Sequence, residues 1–425
     1  MVELGGVTRR SASHTDALVA RQPIYEPSQR TFGYELLFRN SRTNAASILN
    51  PEEATAQVIV NSFLEIGLDR MVGSAPAFIN VTDKFILSGY CESLPKDRII
   101  FEILEDTVPG PELLAELATL RNLGYRFALD DYTFQPHLRP LIPFCHFLKV
   151  DLRDVDRSKL RGLIADSRAA GRIVLAEKVE TFEEFEFCRE AGFHLFQGYF
   201  FCRPRIVSAA TIPMNRIAIC RLLAKLHQPD ISTQEVESIV GEDLSLSYRL
   251  LRYINSASIA LSKTVQSINH AVRLVGTEQI KLLASLIMLT SLDEKPRELM
   301  TTSLVRAKMC ELLASVTGVH ATEPFFTVGL FSALDAFLDC SMTQALELLP
   351  LAADIREALL TRGGDPGKVL ESVLSYEQAH WDDTKLAGIT PVGAREVYLR
   401  SLQWADKLIR SFNQPDPVTA DPVSC

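Results

Sequence analysis

Nowhere in the sequence do two cysteines form a C-x-x-C pair. The cysteines present, Cys91, Cys145, Cys188, Cys202, Cys220, Cys310, Cys340 and Cys425, are scattered singly, which argues against a zinc site or a disulfide framework. No apolar run reaches the roughly 20 residues that cross a bilayer, the longest being LLASLIMLTSL. The opening MVELGGVTRRSASH lacks the apolar centre of a signal peptide. Positive charge is also short: 44 Lys and Arg against 53 Asp and Glu leave a formal net charge of -9. Such a surface repels a phosphate backbone, so a broad grip on nucleic acid is not expected. What remains, at 47% hydrophobic and 23% charged residues, describes a soluble globular protein. A reducing, cytoplasmic compartment with no membrane contact is the expectation.

The 425 residues are too many for one ordinary domain, and the chain changes character near its middle. Up to about Arg205, short runs of the buried-strand type, APAFINVT, RIIFEILE, YRFALDD, FLKVDL, RIVLAEKV and HLFQGYFF, alternate with helical patterns such as PEEATAQVIVNSFLEIG. Helical stretches end at Gly67, Gly124, Gly171 and Gly192, where a left-handed cap is wanted. This βα repeat implies a parallel sheet or barrel. Its start differs, since ALVARQPIYEPSQRTFGYELLFR holds two β-like runs about a turn, so a hairpin opens the sheet. After Ile206 β-like runs nearly vanish. Leu246, Leu250, Leu251 and Ile254 form an apolar stripe, and EQIKLLASLIML and TQALELLPLAADIREALL extend the helical pattern. The expected fold class is therefore α/β plus all-α. Residues 1–14 read as a disordered N-terminus, 15–205 as the barrel, 206–410 as the helical bundle and 411–425 as a flexible tail.

In a βα barrel the strand C-termini share one mouth, so functional side chains collect at run ends. Candidates stand there throughout: Glu35, Asn80, Glu102, Asp130, Asp131, Lys149, Asp151, Glu177 and Gln197. Carboxylates and an amide oxygen suit Mg²⁺ or Mn²⁺ better than zinc. A lysine among them positions a water, or deprotonates one if nearby cations depress its pKa. Polar residues also end strands simply because strands end at the surface; a whole set of oxygen donors with a lysine fits a site better.

YELLFR, FINVT, FEILE, LDD, LKVD, AEKVET and QGYFF resemble, in order and approximate spacing, the EAL domain, a cyclic di-GMP phosphodiesterase barrel. The resemblance covers about Leu18 to Arg205. It implies a variant (β/α)8 TIM-type barrel, somewhat truncated, binding cyclic di-GMP across its mouth. By that likeness Glu35, Asn80, Glu102 and Asp130 hold one metal and Asp131 shares in a second. Lys149 and Glu177 place the attacking water, while Arg39, Asp151 and Gln197 contact or support the substrate. The chain departs from the family in three places. The signature tripeptide is Glu35-Leu36-Leu37. The loop after Asp131 reads YTFQPH, bulky and without glycine where active relatives are glycine-rich, so left-handed conformations are expected to be unavailable to it. Lys178 stands where the family has glycine, either turned inward in place of a second cation or solvated beside the strand end.

EDLSLSYRLLRYINSASIALSKTVQSINHAVRLVG, Glu242 to Gly276, resembles the HDOD domain, a helical relative of metal-dependent HD phosphohydrolases. Ser332 and Ala333 fall where those hydrolases need a His-Asp pair, and His270, His320 and His380 are isolated, so no hydrolysis is expected in this half. Ser375 to Asp383, SYEQAHWDD, reads as a loop cap or an interaction surface. The order of the two domains resembles a class of bacterial signalling proteins linked to motility and biofilm control. Two functions stay open: a regulator whose barrel senses cyclic di-GMP or a partner and whose HDOD half contacts a protein, or an active Mg²⁺- or Mn²⁺-dependent phosphodiesterase. Either admits a homodimer.

Overall fold

The structure, a computed structural model, describes residues 17–40, 67–203, 219, 222–223, 225–226, 231–255, 265–290, 295–347, 349, 351–380 and 389–413. The helix expected over PEEATAQVIVNSFLEIG and the expected N-terminal disorder lie outside the described residues. So does most of the expected tail.

The expected hairpin is present. Strand β1 (Ala17–Tyr25) pairs antiparallel with β2 (Thr31–Asn40), and the turn between them is closed by Glu26 N donating to Arg30 O at 2.9 Å. From β2 onward the pairing is parallel through β3 (Ala77–Val81), β4 (Ile99–Ile103), β5 (Arg126–Leu129), β6 (Phe147–Asp151), β7 (Ile173–Glu177) and β8 (Leu195–Gln197). β1 then pairs antiparallel with β8 and closes the barrel. Among the described residues the outer layer is uneven. A short α1 (Leu68–Val72) precedes β3 and α2 (Asp83–Leu87) follows it, while full helices α3 (Pro111–Asn122), α4 (Arg157–Ala169) and α5 (Phe182–Ala191) follow β4, β6 and β7. After β5 there is only a 3-10 segment, Pro136–Phe144. Pro136, Pro140 and Pro143 explain this, since proline has no N–H to give an α-helix and clashes with the preceding turn.

Inside the barrel, Ile24, Phe78, Ile100, Ala128, Phe147, Leu175 and Leu195 form a buried apolar plug. Side chains along a strand alternate faces, so the next inward position toward the mouth lies two residues on. Those positions are Asn80, Glu102, Asp130, Lys149, Glu177 and Gln197. In β1, which runs the other way, the position is Gln22. The plug is thus the floor of the polar layer. Gly198, just after β8, makes a close crossing: a Cβ there would lie 2.0 Å from Val179 O and 2.6 Å from Val179 N, and its φ is +150°.

The helical half runs through α6 (Thr233–Glu242), α7 (Leu244–Ile254), α8 (Ile268–Val275), α9 (Thr277–Thr290), α10 (Arg297–Val316), α11 (Glu323–Phe331), α12 (Leu334–Leu338), α13 (Met342–Glu347), α14 (Ala353–Thr361), α15 (Gly364–Glu377) and α16 (Pro391–Asn413). No β-strand interrupts it among the described residues. Among the described residues no helix is long and apolar enough to cross a membrane. The two halves share one apolar cluster, in which Val19, Tyr25 and Tyr34 of the hairpin join Leu299, Val373 and Leu402 of the helices.

Within that shared layer lies a buried ionic contact. Arg21 projects outward from β1, its guanidinium 3.7 Å from Glu298 of α10 and 4.2 Å from the Tyr34 ring centroid, while Nη1 donates to Met71 O at 2.8 Å. Tyr34 Oη donates to Glu298 at 3.1 Å. Two further tyrosines tie the halves: Tyr376 of α15 donates to Val19 O at 2.9 Å, and Tyr398 of α16 accepts from Arg21 N at 3.2 Å. Tyr376 and its neighbour Glu377, from the segment read as a loop cap or an interaction surface, therefore serve contacts within the chain. Of that segment, residues 381–383 lie outside the described residues.

Two outcomes are expected. Gly198→Ala, which forces a Cβ into the Val179 backbone, should lower stability by about 3 kcal/mol or more, read from the urea midpoint. Glu298→Ala strands a buried guanidinium and should lower stability by about 3–5 kcal/mol, whereas the double change Arg21→Met with Glu298→Leu should lose far less. Equal losses in the two would show that the charge pair is not what holds the interface.

Candidate active site

The polar layer centres on one ammonium. Lys149 is fully buried, and its Nζ lies 2.7 Å from Glu102, 2.7 Å from Asp130, 3.0 Å from Glu177 and 3.2 Å from Glu35. Glu35 is the best supported carboxylate, since it also accepts from Gln197 Nε2 at 2.6 Å and Asn80 Nδ2 at 3.0 Å. Gln197 Nε2 also reaches Gln22 Oε1 at 3.2 Å. Sequence reasoning missed Gln22. The signal for it was the hairpin register, which sets Gln22 opposite Glu35.

Electrostatics follows from the count. Four carboxylates around one ammonium would carry a net charge of minus three if all were ionised, which a buried site does not tolerate. Burial raises the pKa of Glu102 well above the usual range, and the neighbouring Glu35 adds to this. Burial likewise pushes Glu177 up to about 8, with Asp130 and Glu35 opposing the Lys149 charge. Asp130 is raised for the same reasons. In Glu35, burial is outweighed by the Lys149 charge and by its hydrogen bonds, and the pKa falls. Lys149 is driven up, because its four carboxylates overcome the penalty of burial. In the structure Lys149 lies among anions, and their charge favours its ammonium form.

An ammonium has three protons, too few for this company. Asn80 Oδ1, Glu102 Oε2, Glu177 Oε2 and Gln197 Oε1 are buried and accept no hydrogen bond, while Glu102 Oε1 and Asp130 Oδ1 have only Lys149, each at 2.7 Å. Buried oxygens without donors, in excess of local positive charge, fit a hard divalent cation such as Mg²⁺ or Mn²⁺. Among the described residues no three His, Cys, Asp or Glu side chains are already gathered as a metal site. The carboxylates lean on Lys149 instead.

The loop after β5 differs from its expected behaviour. Glycine-free as it is, it still enters the left-handed region, at Asp131 (φ 39°) and Phe134 (φ 70°). It is also pinned: Tyr132 N donates to Lys149 O at 2.8 Å, Gln135 Nε2 to Asp131 O at 3.0 Å, and Thr133 N to Gln135 Oε1 at 2.7 Å. Tyr132 is buried against Phe134, ring centroids 5.6 Å apart. At the rim, Lys178 turns to the mouth and bridges Asp131, at 3.3 Å, and Asp151. Asp151 also accepts from Arg153 N at 2.8 Å. The side chain of Arg39 lies outside the described residues.

In the helical half, Ser332 accepts from Arg306 at 3.3 Å, and Arg306 forms a two-pronged pair with Glu377 at 2.7 and 2.8 Å. Arg306 thus lies against Ser332, one of the two residues that the resemblance sets at the His-Asp pair of HD hydrolases. Ala333, beside it, is buried.

The family model described as EAL domain matches residues 86–204, and the HDOD domain model matches residues 212–357. Cyclic di-GMP phosphodiesterase CdgJ of Vibrio cholerae is 34% identical over 401 residues, 92% of this chain and 93% of that protein. The chain belongs to the two-domain EAL–HDOD family. Uncharacterized protein YuxH of Bacillus subtilis is 34% identical over 402 residues, covering 92% of this chain and 98% of its own length. Among solved structures, the Klebsiella pneumoniae BlrP1 calcium/cyclic di-GMP complex is similar at 22% identity and a TM-score of 0.37, over 46% of this chain and 58% of that one, a likeness too loose to transfer any site. The EAL match begins after β3, so Glu35 and Asn80 of this EAL–HDOD protein lie outside it, and their contacts with Lys149 and with each other bring them to the site.

The raised carboxyl carries a pH signature. Glu177 binds its proton more tightly folded, near 8, than at the ordinary 4.5, so the folded state holds the extra proton between those values. Metal-free protein should therefore lose stability as pH rises from about 4.5 to about 8, and Glu177→Gln should flatten that slope. Urea midpoints across this range check it, and an unchanged slope in the variant would place the titration elsewhere.

Proposed function

We propose that this protein is a cyclic di-GMP-dependent signalling regulator: the barrel mouth binds the nucleotide, and the helical half, joined to the barrel near residue 205, passes its state to a protein partner. The observation that carries this is the gathering of four carboxylates around Lys149, in a chain similar over 92% of its length to a protein named cyclic di-GMP phosphodiesterase. Glu35, Asn80, Glu102 and Asp130 would hold a Mg²⁺ or Mn²⁺ ion. When bound, such an ion supplies Lewis-acid charge to a phosphodiester oxygen. Lys149 adds a fixed positive charge beneath the mouth, and Gln197 holds Glu35 in place. Sensing is favoured over turnover by the pinned aromatic loop after Asp131, which is held by its own hydrogen bonds rather than left free to close over substrate.

Hydrolysis is the second reading, favoured by the same donor set and by the name of the Vibrio relative. For that step Glu177, pushed up to about 8, can hold or release a proton near neutral pH beside Lys149.

Calorimetry with cyclic di-GMP and Mg²⁺ or Mn²⁺, alongside an assay for the linear dinucleotide, separates these readings. Under the first, the nucleotide binds in the micromolar range without turnover, and Glu35→Ala weakens binding by about tenfold or more, roughly 1.4 kcal/mol. Turnover abolished by Glu35→Ala would install the second. Neither binding nor turnover would remove both.

A further inference from the structure

Lys178 lies outside the Lys149 cage, one residue past the end of β7, and neither reading above uses it. Its Nζ stands between two carboxylates that belong to different strand ends, 3.3 Å from Asp131 after β5 and in direct contact with Asp151 at the end of β6. Asp151 is 3% exposed at its side chain, so it needs a positive partner. Lys178, at 42%, keeps its stem at the rim while its head covers the pair.

Backbone geometry shows that this placement is held against a local preference. Lys178 has φ 55°, a left-handed conformation that costs a residue with a Cβ about 1–2 kcal/mol. Asp131, its partner across the mouth, is also left-handed at φ 39°. Both are fixed by their neighbours: Val179 N donates to Gln197 O at 3.0 Å, and Tyr132 N to Lys149 O at 2.8 Å. Two strained residues on separate loops thus aim their side chains at each other over the mouth.

We propose that Lys178 is a tethered cation that permanently fills the position between Asp131 and Asp151, so that the barrel takes one fewer divalent ion than its carboxylates would otherwise accept. Asp131 and Asp151 together carry two negative charges, and the ammonium neutralises one of them without leaving. A divalent ion entering here would have to expel a charge that stays covalently at hand, which disfavours it at ordinary concentrations. The set around Lys149 keeps its own unpartnered oxygens and is unaffected. The inference rests on the reading of the mouth as a metal and nucleotide site, but it concerns cation number alone.

Glycine suits the backbone of residue 178, which offsets part of what Lys178→Gly loses by leaving the buried Asp151 carboxylate without its cation, and the urea midpoint of each variant is measured first. Equilibrium dialysis and electron paramagnetic resonance with Mn²⁺, in the absence of nucleotide, give the number of ions bound per chain. Lys178→Gly and Lys178→Met should each bind one more Mn²⁺ than the parent, while Lys178→Arg, which restores the charge, should bind the parental number. An unchanged number in both the glycine and methionine variants overturns the proposal, as does a gain that arginine does not reverse. Cyclic di-GMP calorimetry on the same samples reports separately on the function: a parent that binds no nucleotide removes the functional reading while the Mn²⁺ increment still stands.

Discussion

An ammonium held among four carboxylates, three of them buried, is the interaction on which the rest of the barrel is arranged. Lys149 can be buried only because anions surround it, and the anions can be buried together only because Lys149 and added protons offset them. The apolar plug of Ile24, Phe78, Ile100, Ala128, Phe147, Leu175 and Leu195 keeps water from the layer beneath, which strengthens every charge above it. Negative charge nonetheless exceeds what one lysine can neutralise. That excess gives the site its use for a divalent ion and raises its carboxyl pKa values.

Strand β1 connects this centre to the helical half. Antiparallel to both neighbours, it presents alternate residues to the two environments: Gln22 points inward to Gln197, and Arg21 points outward to Glu298 on α10. Adjacent residues on one strand therefore touch the site and the domain interface. The tyrosines Tyr34, Tyr376 and Tyr398 bind the same hairpin to the helices through hydrogen bonds in an otherwise apolar layer. Any rearrangement of the barrel mouth that shifts β1 meets the helical half directly.

Much of the barrel was legible because strands repeat every two residues. FIN, IFE, ALD, FLK, LAE and LFQ each place a plug residue, an outward residue and a donor in succession, so the floor and the site are written together. After β5 the prolines of 136–144 forbid an α-helix, which the structure replaces with a 3-10 segment. The loop after Asp131 was not legible. Absence of glycine suggested that left-handed conformations were out of reach, yet Asp131 and Phe134 adopt them, because hydrogen bonds from Tyr132, Thr133 and Gln135 hold the turn together.

By itself the sequence determined the strand order of donors, the change from βα to helical pattern and the membership of an EAL–HDOD family, since these depend on periodicity and on residue types at fixed spacing. Only the tertiary structure decided where Lys178 points, that Lys149 is ringed by carboxylates, that Gln22 joins the site and that Arg21 meets Glu298. Each of these depends on what a side chain finds across the barrel or across the domain boundary. Burial and neighbouring charge set that outcome, and neither is local in the chain.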